Sequence, residues 1–294
     1  MKRIGYSLGL MTVLMLSVSF LSCDESQIVD LSSHQSQGLP AQKSGLALPK
    51  LSLVKLQGKL NHFGMDISQS PPQYIDYHAT VPDAKVWIAE FPFTRHLNIR
   101  SDETGWWTMY IIKRKGVDLA FSLVYEKEGW ITTKSNKIRV TDEDNLDLAI
   151  QFIDPAYYTY AVKPTVEGML GTTLANALVV TVGKSWASMH DDRLPHGDAG
   201  ALAVMAPLSS AIGPIYFNEA VFPDPTYTAT SIDGGVAWIN VPAGEYHITA
   251  QKTGVAYETV TFDIRESDAD KGIVLYIASP PDSIQGDNDS PPGE

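Results

Sequence analysis

Between Thr226 and Gly254 polarity alternates on the period of a β-strand. Val236, Trp238 and Asn240 alternate with Ala237, Ile239 and Val241, then Tyr246, Ile248 and Ala250 with His247, Thr249 and Gln251. A period of two sends successive side chains to opposite faces of a sheet. Turn signals bound both runs. Asp233-Gly234-Gly235 supplies the positive φ of a tight hairpin, and Pro242-Ala243-Gly244 presets and closes a second turn. The stretch predicts one antiparallel β unit.

The same grammar recurs along the chain. Residues 53–60, 81–88, 106–112, 119–125, 138–140 and 146–152 read as strands, with Asp102-Glu103-Thr104-Gly105 as a turn and 61–80 as an inserted loop. After a linker at 154–161, residues 166–170 and 174–180 repeat the first two strands. An insertion at 184–224 precedes the opening stretch, and Val260, Phe262 and Ile264, then Ile273, Leu275 and Ile277, supply the last two strands. The order of patterns predicts two tandem antiparallel β-sandwich domains, at 51–153 and 162–278. Tyr157, Tyr158 and Tyr160 predict contact between them, since rings with polar tips suit interfaces. Residues 23–50 and 279–294, rich in Ser, Gln, Gly, Pro and Asp, read as a flexible tether and a disordered tail.

The motif carried by Ser231, Asp233, Gly234, Pro242, Gly244, Tyr246, Lys252 and Gly254 resembles the carboxypeptidase regulatory-like (transthyretin-like) β-sandwich. The resemblance implies an all-β, prealbumin- or Ig-like fold in a family that is mostly non-enzymatic. Sandwiches related to it include starch-binding modules. The zinc pair His-x-x-Glu of the carboxypeptidases that carry this module is absent from the sequence.

Charge and the N-terminus narrow the setting. A formal net charge of −12 argues against nucleic acid, which needs clustered Lys and Arg. The one basic cluster, Lys113-Arg114-Lys115, reads as a solvated turn. Lys2 and Arg3 precede an uncharged apolar run from Ile4 to Leu21, the pattern of a signal peptide over 1–22. Phe20-Leu21-Ser22-Cys23 is similar to a bacterial lipobox, with Phe where Leu is usual. The resemblance implies a lipid on Cys23 and an exported chain anchored to the cell envelope, at the outer membrane or cell surface. With a single Cys, no intrachain disulfide can staple the fold, and hydrophobic cores must hold it.

Candidate chemistry is sparse. There is no His-Glu-x-x-His, Gly-x-Ser-x-Gly or Gly-x-Gly-x-x-Gly. His190, Asp191, Asp192, His196 and Asp198 form the densest polar cluster and could offer nitrogen and oxygen ligands to a divalent metal; the competing reading is a solvated loop with Asp in turns. Thr141 to Asp147 lacks the EF-hand spacing and reads as an acidic turn. Trp106 and Trp107, adjacent in a strand, must face opposite ways, so one of them is expected to be exposed; with Trp186 they are the candidate glycan-stacking residues. Two readings follow. One is a non-catalytic adhesion, scaffolding or assembly module, with a cell-envelope protein as partner and no cofactor. The other is a carbohydrate-binding lipoprotein. A metal-dependent enzyme ranks third.

Overall fold

The computed structural model describes residues 49–66, 68–69, 73–145, 148, 150–183, 197–269 and 274–278. The first half holds β1 (Leu51–Asp66), β2 (Gln73–Thr80), β3 (Lys85–Ile88), β4 (Trp106–Arg114), β5 (Leu119–Glu126), β6 (Thr133–Val140) and β7 (Ile150–Phe152). A helical segment follows: α1 (Pro155–Tyr157), a π-helical turn (Tyr158–Val162) and α2 (Lys163–Leu170). The second half holds β8 (Ala177–Thr181), β9 (Leu202–Ala206), β10 (Ile212–Tyr216), β11 (Gly235–Ile239), β12 (Gly244–Gln251), β13 (Val260–Ile264), α3 (Glu266–Ala269) and β14 (Val274–Ala278).

The fold is an all-β sandwich built from three sheets. One runs β2-β1-β4 with β7 beside β1, one runs β10-β11-β8-β14-β6-β5-β3, and one runs β13-β12-β9. In the first half, Val54 and Leu56 of β1 and Trp107, Met109 and Ile111 of β4 pack with Val86, Ile88, Phe121, Leu123 and Tyr125 of β3 and β5. In the second, Leu178, Val180, Val236 and Trp238 of β8 and β11 pack with Ile248 and Phe262 of β12 and β13. The two sandwiches share the seven-stranded sheet, because β14 pairs in parallel with β6 on one side and β8 on the other. Pairing is otherwise antiparallel except for β1 with β7.

Several predicted elements take another form. The loop expected at 61–80 is instead the extension of β1 and its antiparallel partner β2. Of the strand expected at 146–152, Ile150–Phe152 is β-structure. Residues 166–170 are helical, not a strand. Pro164 lies in the first turn of α2, which continues directly from the π-helical turn, and Gly171 closes the helix at φ +61°. The linker is the start of that segment, where Asp154 accepts from the Ala156 and Tyr157 amides at 2.8 and 3.0 Å. Tyr157 and Tyr158 are buried in the larger core, whereas Tyr160 is exposed. The expected insertion at 184–224 contains β9 and β10.

The opening stretch is also rearranged. β11 and β12 are not hairpin partners: β11 pairs with β8 and β10, while β12 crosses to the three-stranded sheet. Every residue of β11 is buried, so its alternation does not separate core from solvent. One face meets the larger core that includes Tyr157, Val162 and Val166; the other meets the three-stranded sheet. A strand covered on both faces reads as an apolar run.

Charged side chains fasten the two halves together. Lys134 of β6, 2% exposed, donates to the Asp263 carbonyl at 2.8 Å and lies 3.1 Å from the carboxylates of Asp263 and Asp268. Burial pushes the Asp263 carboxyl up, but the Lys134 ammonium and Arg265 guanidinium outweigh it and leave it below its ordinary value. Arg265 also donates to the Ala89 carbonyl at 2.8 Å. The basic cluster is likewise not a solvated turn throughout. Lys113 is buried and donates to Asp142 and to the Val117 carbonyl, so the acidic turn at Asp142 is its counterpart. That bond, with the Gly116 amide, holds the Asp142 carboxyl down at about 2.

Candidate functional site

The residues singled out in the sequence do not converge. Trp106 lies on the outer face of β4 and is 36% exposed, while Trp107 is 1% exposed and meets the Tyr125 ring edge-on at 6.1 Å. One of the pair is therefore exposed, as the strand period requires, but Trp107 is core and cannot stack on a sugar. Trp186 and Cys23 lie outside the described residues, as do His190, Asp191, Asp192 and His196. Asp198 is described and nearly inaccessible. It accepts from Lys252 and, at 2.7 Å, from the Tyr257 hydroxyl, tying the loop before β9 to the end of β12. Burial, then the bond to Asp198, pushes the Tyr257 hydroxyl above its ordinary range. This is the setting of a structural ion pair. Among the described residues no three His, Cys, Asp or Glu are grouped to hold a metal.

A different place collects polar chemistry. Asp83, Lys85, Arg95, Arg100, Glu126 and Lys127 line most of an open cleft of about 650 Å³ at one end of the first sandwich. The β3–β5 register sets Lys85 opposite Glu126, and an isolated bridge sets Lys85 opposite Arg100. Asp83 takes a left-handed φ of +59°, which Asp tolerates better than most residues. Arg100 holds it there, donating to its carbonyl at 3.0 Å and its carboxylate at 2.9 Å. Arg95 donates to Glu126 at 2.9 Å and lies 5.9 Å from the Trp87 ring centroid. Lys127 lies 5.1 Å from the Trp130 ring. Forked donors and carboxylate acceptors suit hydroxyl-rich or carboxylate-bearing ligands. Sequence reading missed the cleft because its members come from four separate segments with no common spacing.

A second cavity is of another kind. About 30 Å³, room for one water, lies between the helical segment and β8 and β11, lined by Tyr157, Val162, Val166, Val179, Phe217 and Asp233 among others. The Asp233 carboxylate accepts the Gly235 amide at 3.0 Å, and burial pushes its pKa up to about 7.

No protein-family model matches the chain, and no curated protein matches it. Among solved structures it is similar to the Bacillus anthracis TIE protein, at 11% identity and TM-score 0.22 over 78% of this chain and 34% of that one. It is also similar to the shaft pilin SpaA of Lactobacillus rhamnosus GG, at 10% identity and TM-score 0.23 over 80% of this chain and 99% of that one. A third is BcpA, the major pilin subunit of Bacillus cereus, at 9% identity and TM-score 0.21 over 79% and 71%. The chain thus spans about a third of the TIE protein's length. At these scores the likeness carries no argument about function. No helix among the described residues is long and apolar enough to cross a membrane.

Proposed function

We propose that this chain is an exported, non-catalytic regulatory-like β-sandwich protein, held at the cell envelope by a lipid on Cys23 and acting there in adhesion, scaffolding or assembly. The observation that carries the reading is the shared seven-stranded sheet. With Lys134 and Arg265 bridging the halves, it joins them through one continuous sheet, an arrangement suited to presenting surfaces. The lipobox-like Phe20 to Cys23 supports the anchor, and the Ser-, Gln- and Gly-rich composition of residues 23–50 is that of a tether. The test is metabolic labelling with an alkyne fatty acid in a diderm host, comparing the full chain with Cys23→Ala. Label on the parent alone, in the membrane fraction, supports the anchor; equal or no label on both refutes it.

A second reading, glycan binding, is favoured by the polar cleft of Lys85, Arg95, Arg100 and Glu126 rather than by Trp106 and Trp107 together. Titration with acidic oligosaccharides should quench Trp fluorescence in the parent and much less in Arg100→Ala. Parent and variant responding alike would remove this reading.

A further inference from the structure

Among the described residues no strand covers the outer edge of β4. Residues 107, 109, 111 and 113 of β4 face β1, with Trp107 opposite Gly58 and Lys113 opposite Ser52. The alternate set turns the other way: the Trp106 amide donates to the Asp102 carboxylate at 3.0 Å and its carbonyl accepts the Asp102 amide at 2.8 Å, both away from β1. On the inner strand the same parity holds, since Lys55 and Gln57, opposite Tyr110 and Thr108, bond the segment around Asn145 instead of β4. By alternation the N–H and C=O groups of Thr108, Tyr110 and Ile112 point off the sheet. Among the described residues no strand pairs with that edge and no hydrogen bond reaches those groups. The outer side chains of the strand are Trp106, Thr108, Tyr110, Ile112 and Arg114, none of them buried. Leu51 and Leu53 of β1, 63% and 52% exposed, continue the apolar face beside Arg114 and Ile112. An unpaired edge on a nine-residue strand with a largely apolar outer face is a template for strand addition.

We propose that the occupant is a second copy of this chain, paired antiparallel through β4 about a two-fold axis at Tyr110. The order of side chains along the edge selects a copy of itself. With Tyr110 opposite Tyr110 of the second copy, Thr108 falls opposite Ile112 and Trp106 opposite Arg114, on the same face. The indole at one end of the strand meets the guanidinium from the other, a cation–π pair made twice by symmetry. The outward amides and carbonyls of residues 108, 110 and 112 find partners, and the two four-stranded sheets become one. The pairing rests on the assembly reading above and names its partner, but it needs no lipid.

The test uses the chain from Asp24 onward, which keeps every described residue and has no cysteine, Cys23 being the single one. Sedimentation equilibrium should show the weight-average mass rising to twice the monomer's as concentration increases. Tyr110→Pro should abolish the rise without unfolding the monomer, because Pro is tolerated where a strand's N–H faces off the sheet. Tyr110→Cys should form a disulfide-linked dimer on mild oxidation, the opposed Cα atoms of such a pair lying about 5.5 Å apart. Thr108→Cys, two residues off the axis, should not. A monomer at every concentration, as when another segment of the chain or a foreign strand fills the edge, overturns the proposal. So does a dimer that links through Thr108→Cys and not Tyr110→Cys. A dimer with no fatty-acid label on the full chain refutes only the anchor; a labelled chain that stays monomeric refutes only the edge.

Discussion

β4 and β11 leave the same kind of turn. In each an Asp carboxylate accepts a backbone amide at the strand's start, at 3.0 Å to Trp106 from Asp102 and 3.0 Å to Gly235 from Asp233, and a Gly of positive φ, +81° at Gly105 and +75° at Gly234, immediately precedes the strand. Their surroundings then diverge. β4 ends at the margin of a four-stranded sheet with alternate residues out of the core, whereas β11 lies inside a seven-stranded sheet with every residue buried. The two carboxyls feel the difference. The Thr104 hydroxyl bond holds Asp102 below its usual value in solvent, and burial lifts Asp233 to about 7. A turn motif sets how a strand begins; its neighbours set what the strand and its turn can do.

The widest contrast is in side-chain truncation. Trp238→Ala on β11 should cost about 3–5 kcal/mol in urea unfolding, the range for deleting a buried Trp. Trp106→Ala on the outer face of β4 is the smallest effect, within about 0.5 kcal/mol. Equal losses at the two sites would dissolve the comparison.

Next is the join between the regions. Lys134→Ala leaves Asp263 and Asp268 without their buried cation and should cost about 3 kcal/mol. Because β14 and this ion pair bind the halves, the variant should also split a single unfolding transition into two, read by calorimetry.

A smaller effect separates the turns by sign. Asp233 in the fold keeps a proton that the unfolded chain, titrating near 3.8, has lost. Stability should therefore fall as pH rises from about 4 to about 7 and stay level above. Asp233→Asn should remove that slope and gain about 1 kcal/mol at pH 8, less than the full shift implies because the side chain keeps some exposure. For Asp102 the folded pKa is depressed, so its contribution is present above pH 4 and is lost on acidification; Asp102→Asn should only lose stability. Urea midpoints at pH 4, 6 and 8 decide both signs.

These contrasts also mark what the sequence could disclose. Strand period and turn residues located β4, β5, β8, β11, β12 and β13 closely, because each carries its own apolar run between turn formers. Pairing was hidden. Nothing local to Val236–Ile239 says that a helix covers one of its faces, and nothing in 274–278 says that this strand joins β6 to β8. The helix at Lys163–Leu170 reads as a strand through Val166 and Met169, although Gly171 marks its end. At the site level the adjacency of Trp106 and Trp107 gave one exposed ring, but which one depended on the β1 register. Lys113 looked solvated beside Arg114 and Lys115 because its partner, Asp142, lies 29 residues on. The cleft at Lys85, Arg95 and Arg100 exists only after folding.

The central contrast, an open edge on β4 against a fully enclosed β11, is reached most directly by residue-resolved amide hydrogen exchange on dilute protein. Met109 and Ile111, facing β1, should be protected, Thr108, Tyr110 and Ile112 should exchange rapidly, and the β11 amides of Val236 and Ala237 should be the slowest of all. Thr108, Tyr110 and Ile112 exchanging as slowly as β11 at the lowest concentration would contradict the account, because it would mean that the edge of β4 is already covered in the single chain.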